Sequence, residues 1–198
     1  MKLTSFTKEW HLSTNLMRQN KMEISESLKK MILCYLHSIG GQVSHYKFDR
    51  MIVYSFRSDI LPGSFIKSFL DSEVLEKIIP GDGHMESYKI TELGKEFIAE
   101  ELFDLERTFD KLVDALKDIE VRGVDIKGPF LRFSILDRIY KVSVFLDREN
   151  SRLTLSLPID SPEAVDYIEY PLHEVLNAPE ILRDRLKEQI DILTRNRQ

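Results

Sequence analysis

The chain has 198 residues, 42% hydrophobic and 31% charged, with a net charge of −5. That balance describes one or two small globular domains and excludes a disordered polyelectrolyte. No apolar run reaches the ~18–20 residues of a membrane span, no secretory signal pattern heads the chain, and a single cysteine, Cys34, excludes an internal disulfide.

A cytoplasmic protein with no membrane partner is therefore expected. Residues 1–22 carry Lys2, Lys8, Arg18 and Lys21 against Glu9, with Trp10 and Leu16 sparsely spaced. They read as an N-terminal basic arm. Ser25 or Ser27 can cap a helix running to about Ser38, with Leu28, Met31, Ile32, Leu33, Tyr35, Leu36 and Ile39 on a broad apolar stripe. Cys34 falls inside that stripe and reads as a buried structural thiol. Gly40-Gly41 stops the helix, because a left-handed C-terminal residue is cheapest for glycine.

Val43 is an isolated apolar residue after the glycines, and Ser44 is the next cap. A second helix is expected from His45 to Phe56, burying Phe48, Met51 and Ile52. Arg57 to Gly63 forms a turn punctuated by Pro62-Gly63. A third helix is expected from Ser64 to Ile78, with Phe65, Ile66, Phe69, Leu70, Val74, Leu75 and Ile78 inward. Ile78-Ile79 can start a strand, Pro80-Gly81-Asp82-Gly83 is turn chemistry, and Met85 to Ile90 returns as a second strand. Thr91 caps the next helix, with Gly94 packing closely.

The run Gly40-Gly41-Gln42-Val43-Ser44 before Phe48 and Met51-Ile52, and the ending Tyr88-Lys89-Ile90-Thr91-Glu92-Leu93-Gly94-Lys95-Glu96-Phe97, resemble a winged helix-turn-helix domain over about residues 24–100. The resemblance implies duplex DNA as partner. The third helix would enter the major groove through Ser64, Lys67 and Ser68. The second helix would touch the backbone through Tyr46, Lys47 and Arg50, and the wing through His84 and Lys89. The acidic residues Asp71, Glu73 and Glu76 favour insertion by the helix's N-terminal end over lengthwise burial.

After Thr91 the apolar residues Ile98, Leu102, Leu105, Phe109, Leu112, Leu116 and Ile119 repeat with alternating spacings of four and three. This is a heptad pattern. It predicts one long helix, 91–120, whose stripe pairs two copies of the chain through Leu102, Leu105, Phe109, Leu112, Leu116 and Ile119. The competing expectation is that the stripe packs on the chain's own C-terminal part.

Gly123 and Gly128-Pro129 mark a boundary. Three segments then alternate with period two, around Leu131 to Ile135, Tyr140 to Leu146 and Leu153 to Leu157, which predicts a three-stranded antiparallel sheet. Arg132, Lys141 and Arg152 could form a basic stripe on its polar face. Ser161-Pro162-Glu163 has the composition of a helix start, with that helix ending before Pro171. Asn177 to Glu180 starts another, with Ile181, Leu182, Leu186, Ile190 and Leu193 on one side. The expected class is α+β: a basic arm (1–22), a winged-helix domain (23–100), a linking helix (101–122) and a C-terminal domain (123–198).

No Gly-rich phosphate loop, His-Glu-x-x-His, Cys-x-x-Cys or nucleophile elbow is present. The five histidines lie on unrelated segments. No catalytic residue, metal or cofactor is expected. The expected function is a dimeric winged-helix transcriptional regulator. The alternatives are a winged-helix module that docks protein as a subunit of a larger complex, and a regulator with an effector site in its C-terminal domain.

Overall fold

A computed structural model of the chain describes residues 24–56, 60–79, 85–159 and 164–195. The basic arm, His84 and the helix start at 161–163 lie outside these residues. The fold is α+β, with one three-stranded and one five-stranded antiparallel sheet.

Helix α1 (Glu26–Ser38) is capped by Ser25, whose hydroxyl accepts from Leu28 N–H at 3.2 Å. Met31, Ile32, Leu33 and Cys34 are consecutive and all fully buried. Four consecutive buried residues make the middle of this helix a core element, while its ends at Glu26, His37 and Ser38 stay exposed. It ends at Gly40, where φ is +107° and Gly41 N–H returns to Leu36 C=O at 2.9 Å.

Strand β1 (Gln42–Ser44) and helix α2 (His45–Arg50) follow, the latter capped by Ser44. The second helix does not run on as a regular α-helix. Residues Met51–Ser55 form a single π-helical turn. The wider turn keeps Met51 and Ile52 buried while Val53 and Tyr54 stay exposed.

The third helix is shorter than its apolar spacing suggests. Helix α3 spans Pro62–Asp71, with Pro62 in its first turn. Val74 and Leu75, expected on its inner face, instead lead into strand β2 (Leu75–Ile78). Glu73 adopts φ +58°, and Val74 N–H closes on Phe69 C=O at 3.1 Å. That left-handed residue ends the helix, and no sequence signal announced it because glutamate rarely takes the position. Replacing the exposed Glu73 with glycine is expected to raise stability by about 0.5–1 kcal/mol, read as a higher urea midpoint with an unchanged slope.

Strand β3 (Ser87–Ile90) sits between β1 and β2, pairing Val43 with Tyr88 and Leu75 with Ile90. Thr91 then does two jobs. Its hydroxyl donates to Glu73 C=O at 2.7 Å and accepts from Gly94 N–H at 3.0 Å. It so joins the left-handed turn to helix α4 (Glu92–Phe97). A side chain on Gly94 would strike Val74 C=O and reach Ile90 Cγ2 at 3.0 Å, so the close packing expected there is present.

The long 91–120 helix is two helices. Ile98 leaves helical geometry at ψ 2°, and α5 runs Ala99–Asp114. The heptad residues do not form an open seam. Leu105, Phe109, Leu112 and Leu116 are at most 3% exposed within the single chain, while Leu102 and Ile119 pack against the same core. The competing expectation holds: a short heptad run looks the same whether its partner is a second copy or the chain itself.

The C-terminal sheet has five strands, not three. In order they are β4 (Arg122–Lys127), β5 (Phe130–Ile135), β6 (Arg138–Asp147), β7 (Arg152–Pro158) and β8 (Val165–Pro171). The helix expected before Pro171 is strand β8. Val165, Tyr167, Ile168 and Tyr170 are β-branched and aromatic, and β8 pairs along its whole length with β7. Helix α6 (Leu172–Asn177) leads into α7 (Glu180–Arg195). Leu182, Leu186, Ile190 and Leu193 of α7 are buried, whereas Ile181 is exposed. Helix α7 packs on α5 and β7.

The two sheets share one hydrophobic core. Helix α1 joins them. Tyr35 stacks edge-on with Phe130 at 5.4 Å and Phe56 at 6.1 Å, and the β4–β5 turn at Gly128 lies directly on the Tyr35 backbone.

Candidate nucleic-acid interface

The expected contact residues occupy three connected elements. On α3, Ser64 and Lys67 are exposed and Ser68 is half-buried. The inner face of the same helix, Phe65, Ile66 and Phe69, is fully or almost fully buried. The helix is thus held from behind and open in front. Among the described residues no side chain caps its N-terminus, where Pro62 has no N–H to satisfy and Ser64 N–H donates to Leu61 C=O at 2.9 Å.

On α2, Tyr46, Lys47 and Arg50 are exposed. The Arg50 guanidinium lies over the Tyr46 ring at 5.7 Å and the Tyr54 ring at 5.3 Å, and its Nη1 donates to the Tyr46 hydroxyl at 3.4 Å. Stacking between two rings pre-orders a side chain that would otherwise be mobile. Val53 and Tyr54 of the π turn also stand exposed, as does Leu61 at the start of α3. Sequence reasoning missed Tyr54, because its exposure depends on the π turn.

The hairpin of β2 and β3 is electrostatically balanced. Lys89 lies 3.5 Å from Glu76, and Lys77, absent from the expected set, lies 2.6 Å from Glu86. The hydrogen bond to Glu86 holds the Lys77 ammonium above its usual range, and the same bond holds Glu86 below the usual carboxylate range. His45 Nδ1 is hydrogen-bonded to the Tyr88 hydroxyl at 2.8 Å. Burial raises the Tyr88 phenol above its ordinary range. Among the described residues, Lys47 and Lys67 form no ion pair, and they are the cations most available to a polyanion.

The basic stripe expected on the C-terminal sheet is not continuous. Arg152 is paired with Glu169 at 3.0 Å, and the Lys141 ammonium sits 3.5 Å above the Phe130 ring. Arg132 is exposed and makes no ion pair with any described residue.

A second charged cluster is buried and was invisible in the sequence. Glu101, 1% exposed, accepts from Lys30 Nζ at 3.0 Å and from Arg148 Nε at 2.9 Å. Arg148 also binds Glu100 and Asp104. Its neighbours in the β6–β7 hairpin hold α1: Glu149 accepts from Glu26 N–H at 2.6 Å, and Asp147 accepts from the Ser27 hydroxyl at 3.3 Å. These residues face each other across packed elements rather than a cleft, so their arrangement is a clamp.

Among the described residues, no group of three or more His, Cys, Asp or Glu side chains is placed to hold a metal ion. Burial pushes the Cys34 thiol up to about 12, which keeps it protonated and inert. No described helix is long and apolar enough to cross a membrane. No family model, curated protein or solved structure matches the chain.

Proposed function

We propose that residues 24–98 form a winged helix that binds duplex DNA, in a chain that acts by binding rather than catalysis and serves as a transcriptional regulator. Helix α3 is the reading element, inserted by its N-terminal end. The β2–β3 hairpin is the wing, and Lys47 and Arg50 on α2 lie against phosphate. The observation that carries this reading is α3 itself: its back is sealed in the core, its front is open, and its first turns carry exposed Ser64 and Lys67, the latter without an ion pair among the described residues. The order helix, strand, helix, helix, hairpin supports it as well. Two copies bound to one operator would meet through a face other than the heptad stripe.

The paired wing cations favour a second reading, a module that docks protein in a larger complex. Its surface would be the exposed Tyr46, Arg50, Tyr54 and Leu61, residue types that carry most interface energy when desolvated.

A mobility-shift titration against random duplex at two salt concentrations separates the readings. DNA binding predicts affinity at low salt that falls steeply as salt rises. The double variant Lys47→Glu, Lys67→Glu is expected to weaken it by roughly tenfold or more, from the loss of two phosphate contacts and the added repulsion. Lys89→Glu should do less, because Glu76 already neutralises Lys89. No binding at low salt would remove the DNA reading and leave the docking one.

A further inference from the structure

A cleft of about 330 Å³ lies at the C-terminal end of α3. Its walls are Glu26 and Lys29 of α1, Phe69 and Val74 on either side of the turn that ends α3, and Leu93 and Phe97 of α4. That size is at the lower end of ligand pockets, about 300–1,000 Å³. Phe69, Val74, Leu93 and Phe97 make the hollow mainly apolar, and Leu93 is 49% exposed.

We propose that this cleft binds a small amphiphile with an anionic head, of the medium-chain carboxylate class. Its hydrocarbon would lie against Phe69, Leu93 and Phe97, and its carboxylate would meet the Lys29 ammonium.

The sign of the head follows from which polar groups are already engaged. Glu26 lies 3.5 Å from Lys30. Lys30 also holds buried Glu101 at 3.0 Å, and its ammonium stands 5.0 Å from the centre of the Phe97 ring. A cationic head would therefore meet a ring that already faces an ammonium, and a carboxylate that is already paired. Ser72, the other polar wall residue, donates its hydroxyl hydrogen to Ser68 C=O at 2.7 Å. The N–H groups of Glu26 and Ser27, at the start of α1, are directed to Glu149. Lys29 is left. It is half-buried, and among the described residues it forms no ion pair. A lysine can lay its stem along apolar surface while its head stays charged, so Lys29 supplies a cation to an apolar hollow. Glu92, beside the wall residue Leu93, is held by Lys95 at 2.6 Å. A bound amphiphile would tie α1 and α4 to the turn at Glu73 that ends α3. The site is one of binding and is tested by binding, so it stands whether or not α3 reads DNA.

Sodium octanoate, 1-octanol and octylammonium share a chain and differ in the head. Each is titrated into the isotope-labelled full chain and followed by amide chemical shifts. Octanoate is expected to bind at about millimolar concentration or tighter, as suits a ligand of its size, and to move the Ser72, Val74 and Gly94 signals. Octylammonium should bind about tenfold more weakly or not at all. Lys29→Gln should weaken octanoate by about tenfold, through the loss of a charge-assisted contact, and leave 1-octanol unchanged. Lys29→Arg should restore octanoate. Leu93→Asp, at an exposed position in the first turn of α4 where an acid suits the helix, should weaken octanoate and 1-octanol alike. Unmoved signals at those three amides would overturn the proposal. So would equal affinity for octanoate and octylammonium, or octanoate binding that Lys29→Gln leaves intact.

Discussion

Gly128→Ala is expected to lower the stability of the whole chain by about 3–4 kcal/mol, a large part of the ~5–15 kcal/mol that folding yields. Two effects add. Gly128 has φ +54°, and an alanine there pays about 1–2 kcal/mol for the left-handed conformation. The new Cβ would also stand 2.6 Å from Tyr35 N and against Tyr35 Cα. Those are backbone atoms of a helix anchored in the core by Met31 to Cys34, so they cannot swing away as a flexible side chain could. The turn must lift from α1 instead, and that separates Phe130 from Tyr35 and Phe56. Overpacking of this kind costs about 1–3 kcal/mol. Gly123 supplies the control: it has φ +61°, but a Cβ added there would meet nothing within 4 Å. Gly123→Ala should show the backbone effect alone. The difference between the two urea midpoints then measures the contact that joins the sheets. Equal losses would mean that the β4–β5 turn does not bear on α1.

The local structure near residues 24–98 was legible because its signals are local. Ser25, Ser44 and Thr91 do cap the helices they precede, and Gly94 does meet a backbone. What failed there needed a conformation that the residue type disfavours. Glu73 at φ +58° converts the last part of an apparent 15-residue helix into strand β2, and apolar spacing alone cannot tell these apart. The C-terminal part was less legible. Strand β4 carries Arg122, Asp125 and Lys127 and has a register shift between Arg122 and Asp125, so its alternation is broken. Strand β8 follows a good helix-capping sequence. Partnership was the other gap. The heptad stripe is real, but what covers it is set by contacts between distant segments. The candidate interface shows the same division. Ser64, Lys67, Tyr46, Lys47 and Arg50 were expected on outward helix faces, and all of the α2 and α3 set but half-buried Ser68 stand exposed. The neutralisation of Lys89 by Glu76 depends on cross-strand register, which the sequence does not display.

Arg148→Ala is expected to cost about 3–5 kcal/mol at neutral pH, the range for removing one partner of a buried ion pair. Arg148 faces Glu100, Glu101 and Asp104 on one helix, and Glu101 and Asp104 are nearly inaccessible to solvent. Lys30, which is shared between Glu101 and Glu26, and the more distant Arg107, which acts on Asp104, would remain to balance them. Glu101 has one oxygen, Oε2, with no hydrogen-bond partner among the described atoms, so the site has no reserve donor. The loss should depend on pH with a definite sign. Burial raises the Asp104 carboxyl above its ordinary range, and Arg148 opposes that rise. A carboxyl whose folded value lies above its unfolded value penalises the folded state when ionised. That penalty is complete above the folded value. It fades as pH falls toward the unfolded value of about 3.9. Removing Arg148 raises the folded value further and widens that window. The deficit of Arg148→Ala against the unmutated protein should therefore be largest near pH 7 and shrink on acidification toward about pH 4. Urea titrations at several pH values would read this directly. Asp104→Asn in the Arg148→Ala background should recover part of the loss and flatten its pH dependence. A deficit that is constant across this range would mean that Arg148 acts by packing its aliphatic stem, not by balancing charge.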